Sequence, residues 1–371
     1  MISDNFKNNK LFTLGVEEEY MICDPDTGNL IDKADEIFKS LNSEYKDRFS
    51  YELLLSEIES NTKICNSVDG AIKEILFLRN YLKDIGFKNN FKLGISGTHP
   101  TANPKKQKFV QNKSYQWVKN QLQYYASQNI TFSTHVHVAI DSPDLAIKIC
   151  NVLRCWIAPL LALSSNSPFF NSFDTGMQSS RTFQFGIFPR TNIAHEMLDM
   201  DEYLYILDKL TNNKSIDKPQ HIWWKIRPHI GFGTIEFRVC DIQRSISRTK
   251  MIVAISQALV HKIYNDLKSN NVKSDYNMEF LNDALWNAAS KGLKSDIINP
   301  ITENKISMKD MVYLMLDYIH PSLEYFGTID IEHTIDSILN GKTEADMQID
   351  IYNNFGFDGL KNFLINEVEY K

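Results

Sequence analysis

Short runs of β type, several with strict alternation of apolar and polar side chains, recur along the chain at 11–23, 56–62, 91–96, 130–140, 183–188 and 234–240. A period of two is the signature of a half-buried strand. After the first run, Asp24-Pro25-Asp26-Thr27-Gly28 has turn chemistry, with proline presetting φ and glycine admitting a positive φ, so residues 29–31 are expected to return as a hairpin partner. Between these runs the period lengthens. Val68, Ala71, Ile72, Ile75, Leu78, Leu82 and Ile85 keep helical spacing after Ser67, and Gly86 reads as the stop. Ser142-Pro143-Asp144 reads as a cap, a first-turn proline and an acid at the positive end of a helix that continues to about Ser164, with a kink expected at Pro159. Further helices are expected over 247–267 and 279–291, and the remainder of the chain is mostly helical in pattern. Strands joined by loops and hairpins, with helices grouped between them, point to an α+β architecture on an antiparallel sheet. No repeat, low-complexity tract or Pro/Ser/Gly linker divides the sequence, so residues 1–371 are read as one domain.

The alternation has an unusual content. In Gly15-Val16-Glu17-Glu18-Glu19-Tyr20 a strand would turn Glu17 and Glu19 to one face, about 6.6 Å apart, and Glu18 to the other. Like charges so close raise each other's pKa unless a cation or hydrogen-bond donors lie between them. Thr134-His135-Val136-His137-Val138 sets two imidazoles on one face, and Ile235-Glu236-Phe237-Arg238 sets an acid and a guanidinium there, with Arg227 upstream. Ser56-Glu57-Ile58-Glu59-Ser60 repeats the acidic pattern. Each run has a plainer explanation: charges guarding an edge strand, a Glu-Arg ladder, or histidines satisfied by polar neighbours. Three acidic strands and a His-x-His strand on one sheet instead describe a polar face that lines a site. Oxygen-rich ligand sets suit Mg²⁺ or Mn²⁺, which bring phosphates with them, and arginine forks match phosphate and carboxylate.

Composition narrows the classes. At 371 residues and 43% hydrophobic content the chain can bury a large core, and a net charge of -6 argues against nucleic acid as a main partner. No apolar run reads as a membrane span, and the polar start lacks a signal-peptide core, so a cytoplasmic location is expected. Five scattered cysteines without CxxC spacing are expected to be reduced thiols. Gly341-Lys342-Thr343 lacks the upstream glycines of a phosphate loop and reads as a helix-ending turn.

Taken in order, GVEEEY, SEIESNT, ISGTHP, THVHV, ALSSNSPF, SSRTFQF, RPHIGFGTIEFRVCD and LWNAASKGL resemble the motif series of the glutamate-cysteine ligase type 2 family, to which YbdK-like carboxylate-amine ligases belong. The resemblance runs from about Phe12 to about Glu367. It implies a glutamine synthetase-like α+β fold, a curved antiparallel β-sheet flanked by helices with the active site on its concave face. It implies an ATP-dependent carboxylate-amine ligase that activates a glutamate-type carboxylate as an acyl phosphate for attack by an amine such as cysteine, releasing ADP and phosphate. By this resemblance Glu17, Glu19, Glu59, Glu236 and His135 are metal ligands for Mg²⁺ or Mn²⁺, with Glu57 a weaker candidate. His137, Arg227 and Arg238 contact phosphates and act catalytically. Arg181, Ser180, Asn166 and Ser167 hold substrate, the last two also being readable as a helix-ending turn. ATP and small amino-acid or amine substrates are the implied partners, and relatives admit a homodimer. Phe132-Ser133-Thr134 stands where relatives often carry Cys-Gly-Leu, a departure at positions expected to face substrate. Two other readings of the same residues are a metal-dependent hydrolase built on His135, His137 and carboxylates, and a non-catalytic nucleotide or amino-acid sensor.

Overall fold

The computed structural model describes residues 2–269 and 272–371. Seven strands make one antiparallel sheet: β1 (Leu14–Cys23), β2 (Phe49–Tyr51), β3 (Glu57–Asn61), β4 (Lys92–Gly94), β5 (Thr134–Ala139), β6 (Ile226–His229) and β7 (Thr234–Phe237). Their order is β2-β3-β1-β5-β7-β6, and β4 pairs with the far half of β1. The alternation sorts side chains by face. Leu14, Val16, Val136, Val138, Ile235 and Phe237 are buried together in the main core, while Glu17, Glu19, His135, His137 and Glu236 of the same strands turn the other way.

The apolar face is covered by helices α1 (Val68–Asn89), α2 (Pro143–Leu153), α3 (Ile157–Ser164) and α5 (Ile246–Ser269), with α1 against β1, α2 against β6 and α5 against β5. A short helix α4 (Ser180–Gly186) lies between α3 and α5 in the chain, and α6 (Met278–Lys291), α7 (Met308–Phe326), α8 (Ile331–Asn340) and α9 (Glu344–Asn366) follow. Pro143–Ser164 is long and apolar enough to cross a membrane, but 89% of its most apolar window is buried inside the molecule. It is therefore accounted for as a core element.

Several boundaries differ from the sequence expectation. Gly86 does not stop α1; the helix continues to Asn89 and ends at Asn90 with a left-handed φ of 55°. A Cβ at Gly86 would sit 2.6 Å from the carbonyl oxygen of Phe91, so this glycine lets the returning chain approach the helix. The break near Pro159 falls earlier, in a 3₁₀ turn at Arg154–Trp156. Pro159 thus becomes the third residue of α3, where its missing N–H has no intrahelical partner to lose. The run 183–188, expected as a strand, is mostly the helix α4, which buries Arg181, Thr182 and Phe185. So short an apolar run cannot be assigned by periodicity alone. Residues 29–31 make a single bridge, Cys23 to Leu30. All five cysteines are free and buried, and Gly341 to Thr343 joins α8 to α9, with Thr343 capping the latter.

Candidate functional site

Strand register assembles the polar face. Glu19 pairs with Glu59 across β1 and β3, Glu17 with His135 across β1 and β5, His137 with Glu236 across β5 and β7, and Glu236 with Arg227 across β7 and β6. Acids and imidazoles up to 219 positions apart in sequence (Glu17 to Glu236) become lateral neighbours. They line a cleft of about 480 Å³ that also exposes Glu52, Glu57, Arg181 and Arg238.

Three groups within it bring ligand atoms to within 4.8 Å of one another: Glu17, Glu59 and His135; Glu17, His137 and Glu236; and Glu19, Glu52 and Glu59. The donor set is carboxylate-rich, as a hard divalent cation requires. Burial raises the pKa of Glu59, and Glu17, Glu52 and Glu19 push it further up. Burial and Glu19 do the same to Glu52 and to Glu57. His137 Nε2 is buried, lies 3.4 Å from Glu17 Oε1 and makes no hydrogen bond among the described residues, while its Nδ1 is held 2.9 Å from Thr234 Oγ1. A cluster of mutually repelling carboxylates and an orphaned ring nitrogen fit divalent cations. No group holds both histidines among the described residues.

His135 is fixed from two sides, Nδ1 3.0 Å from Glu17 Oε2 and Nε2 2.8 Å from Ser133 Oγ. Burial and Arg238 lower its pKa despite the adjacent acids. For His137 burial is outweighed by Glu17 and Glu236, and its pKa is raised. Glu17 is held below the carboxylate range in spite of burial, by His137 and His135. Ser133 donates from both backbone N–H (2.6 Å) and Oγ (2.5 Å) to Glu19 Oε2, so the departure at 132–134 places a serine directly on the acid-imidazole row.

Glu236 is engaged more fully than its sequence suggested. Arg227 Nε donates to Oε2 at 2.6 Å and Arg238 Nη1 donates to Oε1. Burial is outweighed by these two guanidinium groups, and Glu236 is held well below the usual range. Arg181 reaches the cleft while donating to the carbonyls of Val239 (3.1 Å) and Arg238 (3.0 Å). Asn166, Ser167 and Ser180 are not on the cleft wall. Asn166 N and Ser167 Oγ donate to Asp241 Oδ2 at 2.9 and 2.7 Å, Asn166 Nδ2 bonds Ile242 O, and Ser180 Oγ pairs with Thr175. Sequence reading passed over Glu52 and Tyr115, which line the cleft. Glu52 lies in an irregular segment before β3, and Tyr115 reaches over from the helix Lys113–Leu122 to donate to Tyr51 O. Neither has a strand period that could signal it.

A second cavity of about 490 Å³ adjoins the cleft, and Glu17, His137, Gly231 and Phe232 line both. Its remaining wall is less polar, with Ile64, Val16 and four residues of the N-terminal segment, Asp4, Asn5, Asn8 and Asn9. Phe232 is 59% exposed and stacks on His229 with centroids 4.3 Å apart.

An antiparallel sheet whose polar face joins acids, imidazoles and arginines around a two-chambered cleft is the arrangement of a carboxylate-amine ligase. The chain belongs to glutamate-cysteine ligase family 2, whose model matches residues 13–346. It is 31% identical over 342 residues to the "Putative glutamate--cysteine ligase 2" of Chloroflexus aurantiacus, covering 92% of this chain and 87% of that one. Its identity to the protein of the same name from Herpetosiphon aurantiacus is 31% over 345 residues, covering 93% and 90%. Among solved structures it resembles the glutamate-cysteine ligase of Francisella tularensis in complex with AMP, with a TM-score of 0.71 at 15% identity, covering 97% of this chain and 89% of that one. It also resembles a bifunctional glutathione synthetase of Pasteurella multocida, with a TM-score of 0.72 at 13% identity, covering 99% and 53%. These two likenesses define the fold.

Proposed function

We propose that the protein is an ATP-dependent ligase that phosphorylates a donor carboxylate and transfers the acyl group to an amine. The observation that carries this reading is the junction at Glu17 and His137, where a less polar cavity meets a carboxylate- and arginine-lined cleft. A nucleotide base suits the less polar chamber, with the exposed Phe232 at its junction with the cleft, because every base has a face that stacks on an aromatic ring. The donor and amine suit the charged chamber. The γ-phosphoryl then meets the donor carboxylate at the row of acids, the complex with AMP in a structural relative being consistent with nucleotide use.

Glu17, Glu19, Glu52, Glu59, Glu236 and the two histidines are the groups that would hold Mg²⁺ or Mn²⁺, which neutralise phosphate charge and align the transferred group. A donor carboxylate oxygen attacks the γ-phosphorus as the bond to the β-γ bridging oxygen breaks, and ADP leaves. The amine nitrogen then attacks the acyl carbon, phosphate departs, and the nitrogen gives up a proton. In that sequence Arg238 and Arg227, preorganised by Glu236, face developing negative charge, and such fixed dipoles and charges act most strongly where water is excluded. His135, with Nδ1 3.0 Å from Glu17 Oε2, is placed to hold that carboxylate in position. The separation of His135 and His137 into different ligand groups disfavours the hydrolase reading, which needs both imidazoles on one ion.

The test is turnover. The protein with ATP, MgCl₂, L-glutamate and a panel of amines should release ADP and phosphate, and hydroxylamine should trap the activated acyl group as a hydroxamate. No turnover with any amino-acid donor would sink the proposal.

A further inference from the structure

Ser133 immediately precedes β5, lines the cleft and is 1% exposed. Its backbone is held from both sides: Ser133 O accepts from Glu19 N at 3.1 Å, and an isolated antiparallel bridge pairs it with Asp241. Its hydroxyl stands between two of the three ligand groups. On one side is Glu19 Oε2 at 2.5 Å, from the group of Glu19, Glu52 and Glu59. On the other is His135 Nε2 at 2.8 Å, from the group of Glu17, Glu59 and His135.

The hydroxyl has one proton, and an ionised carboxylate can only accept. That proton therefore lies on the 2.5 Å contact with Glu19, and Ser133 Oγ is left to accept at its other contact. The donor there has to be His135 Nε2–H. With Nε2 committed as a donor, the ring nitrogen free to ligate is Nδ1, which lies 3.0 Å from Glu17 Oε2. A bare ring nitrogen and a carboxylate oxygen so close need a positive charge beside them, and Glu59 brings a third ligand atom within 4.8 Å of the other two. The opposite tautomer would turn the lone pair of Nε2 on Ser133 and aim Nδ1–H at Glu17, closing this group to a cation.

We propose that Ser133 is a positioning residue for a divalent cation: by accepting from Nε2–H it fixes the tautomer and orientation of His135, so that Nδ1 becomes a ligand beside Glu17 and Glu59. The inference deepens the ligase reading, on which the purpose of the cation rests, but cation binding itself can be measured without turnover. A partner that fixes the far nitrogen of a ligating histidine contributes about ten- to a hundredfold in metal affinity.

The experiment uses Mn²⁺ and the full chain without nucleotide. Affinity is read from the EPR signal of free Mn²⁺, and ligation from pulsed EPR, which detects imidazole nitrogen bound directly to the ion. Wild type should show a nitrogen coupling that His135→Gln removes. Ser133→Ala should weaken Mn²⁺ binding roughly tenfold or more and lose the same coupling. Ser133→Gly, which keeps the backbone N–H to Glu19, is a second truncation and should behave alike. Ser133→Thr, which keeps the hydroxyl, should restore both affinity and coupling. A serine that only stabilised the strand would lower the melting temperature on truncation and leave the nitrogen coupling intact, and that result would overturn the proposal. So would a wild-type Mn²⁺ complex with no coupling that depends on His135. Mn²⁺ binding that responds as expected, together with no ADP release from any donor, would remove the ligase reading and leave the role of Ser133 standing. ADP release with Mn²⁺ binding indifferent to Ser133 would do the reverse.

Discussion

Glu18 and Arg79 form a bidentate ion pair with both side chains wholly excluded from solvent, Nε 2.9 Å from Oε2 and Nη2 2.7 Å from Oε1. Arg79 also donates to the carbonyls of Gln243 and Arg244, and Tyr20 Oη donates to Glu18 at 2.6 Å. The pair pins α1 to β1 on the face opposite Glu17 and Glu19. Removing one member leaves an uncompensated buried charge, so Arg79→Met should lower unfolding free energy by about 3–5 kcal/mol. Urea titration checks this, and an unchanged midpoint would refute it.

Glu59 and its neighbours give the opposite sign. Their raised folded pKa means the native state binds more protons than the unfolded chain, so their contribution is favourable at low pH and is lost as pH rises above the ordinary carboxylate value toward the folded one. Without divalent ions, Glu59→Gln should therefore melt at or above the wild-type temperature at neutral pH, by about 1 kcal/mol. MgCl₂ should raise the wild-type melting temperature more than that of the variant. A large loss of metal-free stability would show that Glu59 is structural.

Glu19 and Glu236 part company. Glu19→Gln should spare stability, with kcat down by at least about a hundredfold. Glu236→Gln strips Arg227 and Arg238 of their shared acceptor, and should cost about 3–5 kcal/mol as well as activity. Comparable melting curves for the two variants would contradict this division.

Phe232 is the exposed stacking surface between the chambers. Phe232→Ala should raise the KM for ATP roughly three- to tenfold and leave the KM for the carboxylate donor near wild type. A change confined to the donor would reverse the assignment of the two chambers.

Gly233 closes the turn between β6 and β7 with φ of 66°, and a Cβ there would lie 2.4 Å from the carbonyl oxygen of Asn5. Gly233→Ala should destabilise by about 1–3 kcal/mol and displace the arginine-bearing hairpin, seen as lower kcat with a lower melting temperature.

Much of this molecule is legible in one dimension because a strand has a period of two. Glu17 and Glu19, His135 and His137, and Glu57 and Glu59 could each be assigned to one face before any fold was known, as could the apolar lining of α1 and the capped start of α2. Eight ordered motifs then indicated the family. Period says nothing about which strands become neighbours, and register is a tertiary outcome. It alone set Glu19 beside Glu59 and gave both oxygens of Glu236 to arginines. It also withdrew Asn166, Ser167 and Ser180 into the network around Asp241. Glu52 lies outside any periodic run, so its burial beside like charges arises only when distant segments close on it. Local sterics, carried by each residue and its neighbours, determine the elements and the faces. The electrostatics of the cleft depend on distances between remote parts of the chain, and those exist only in the folded state.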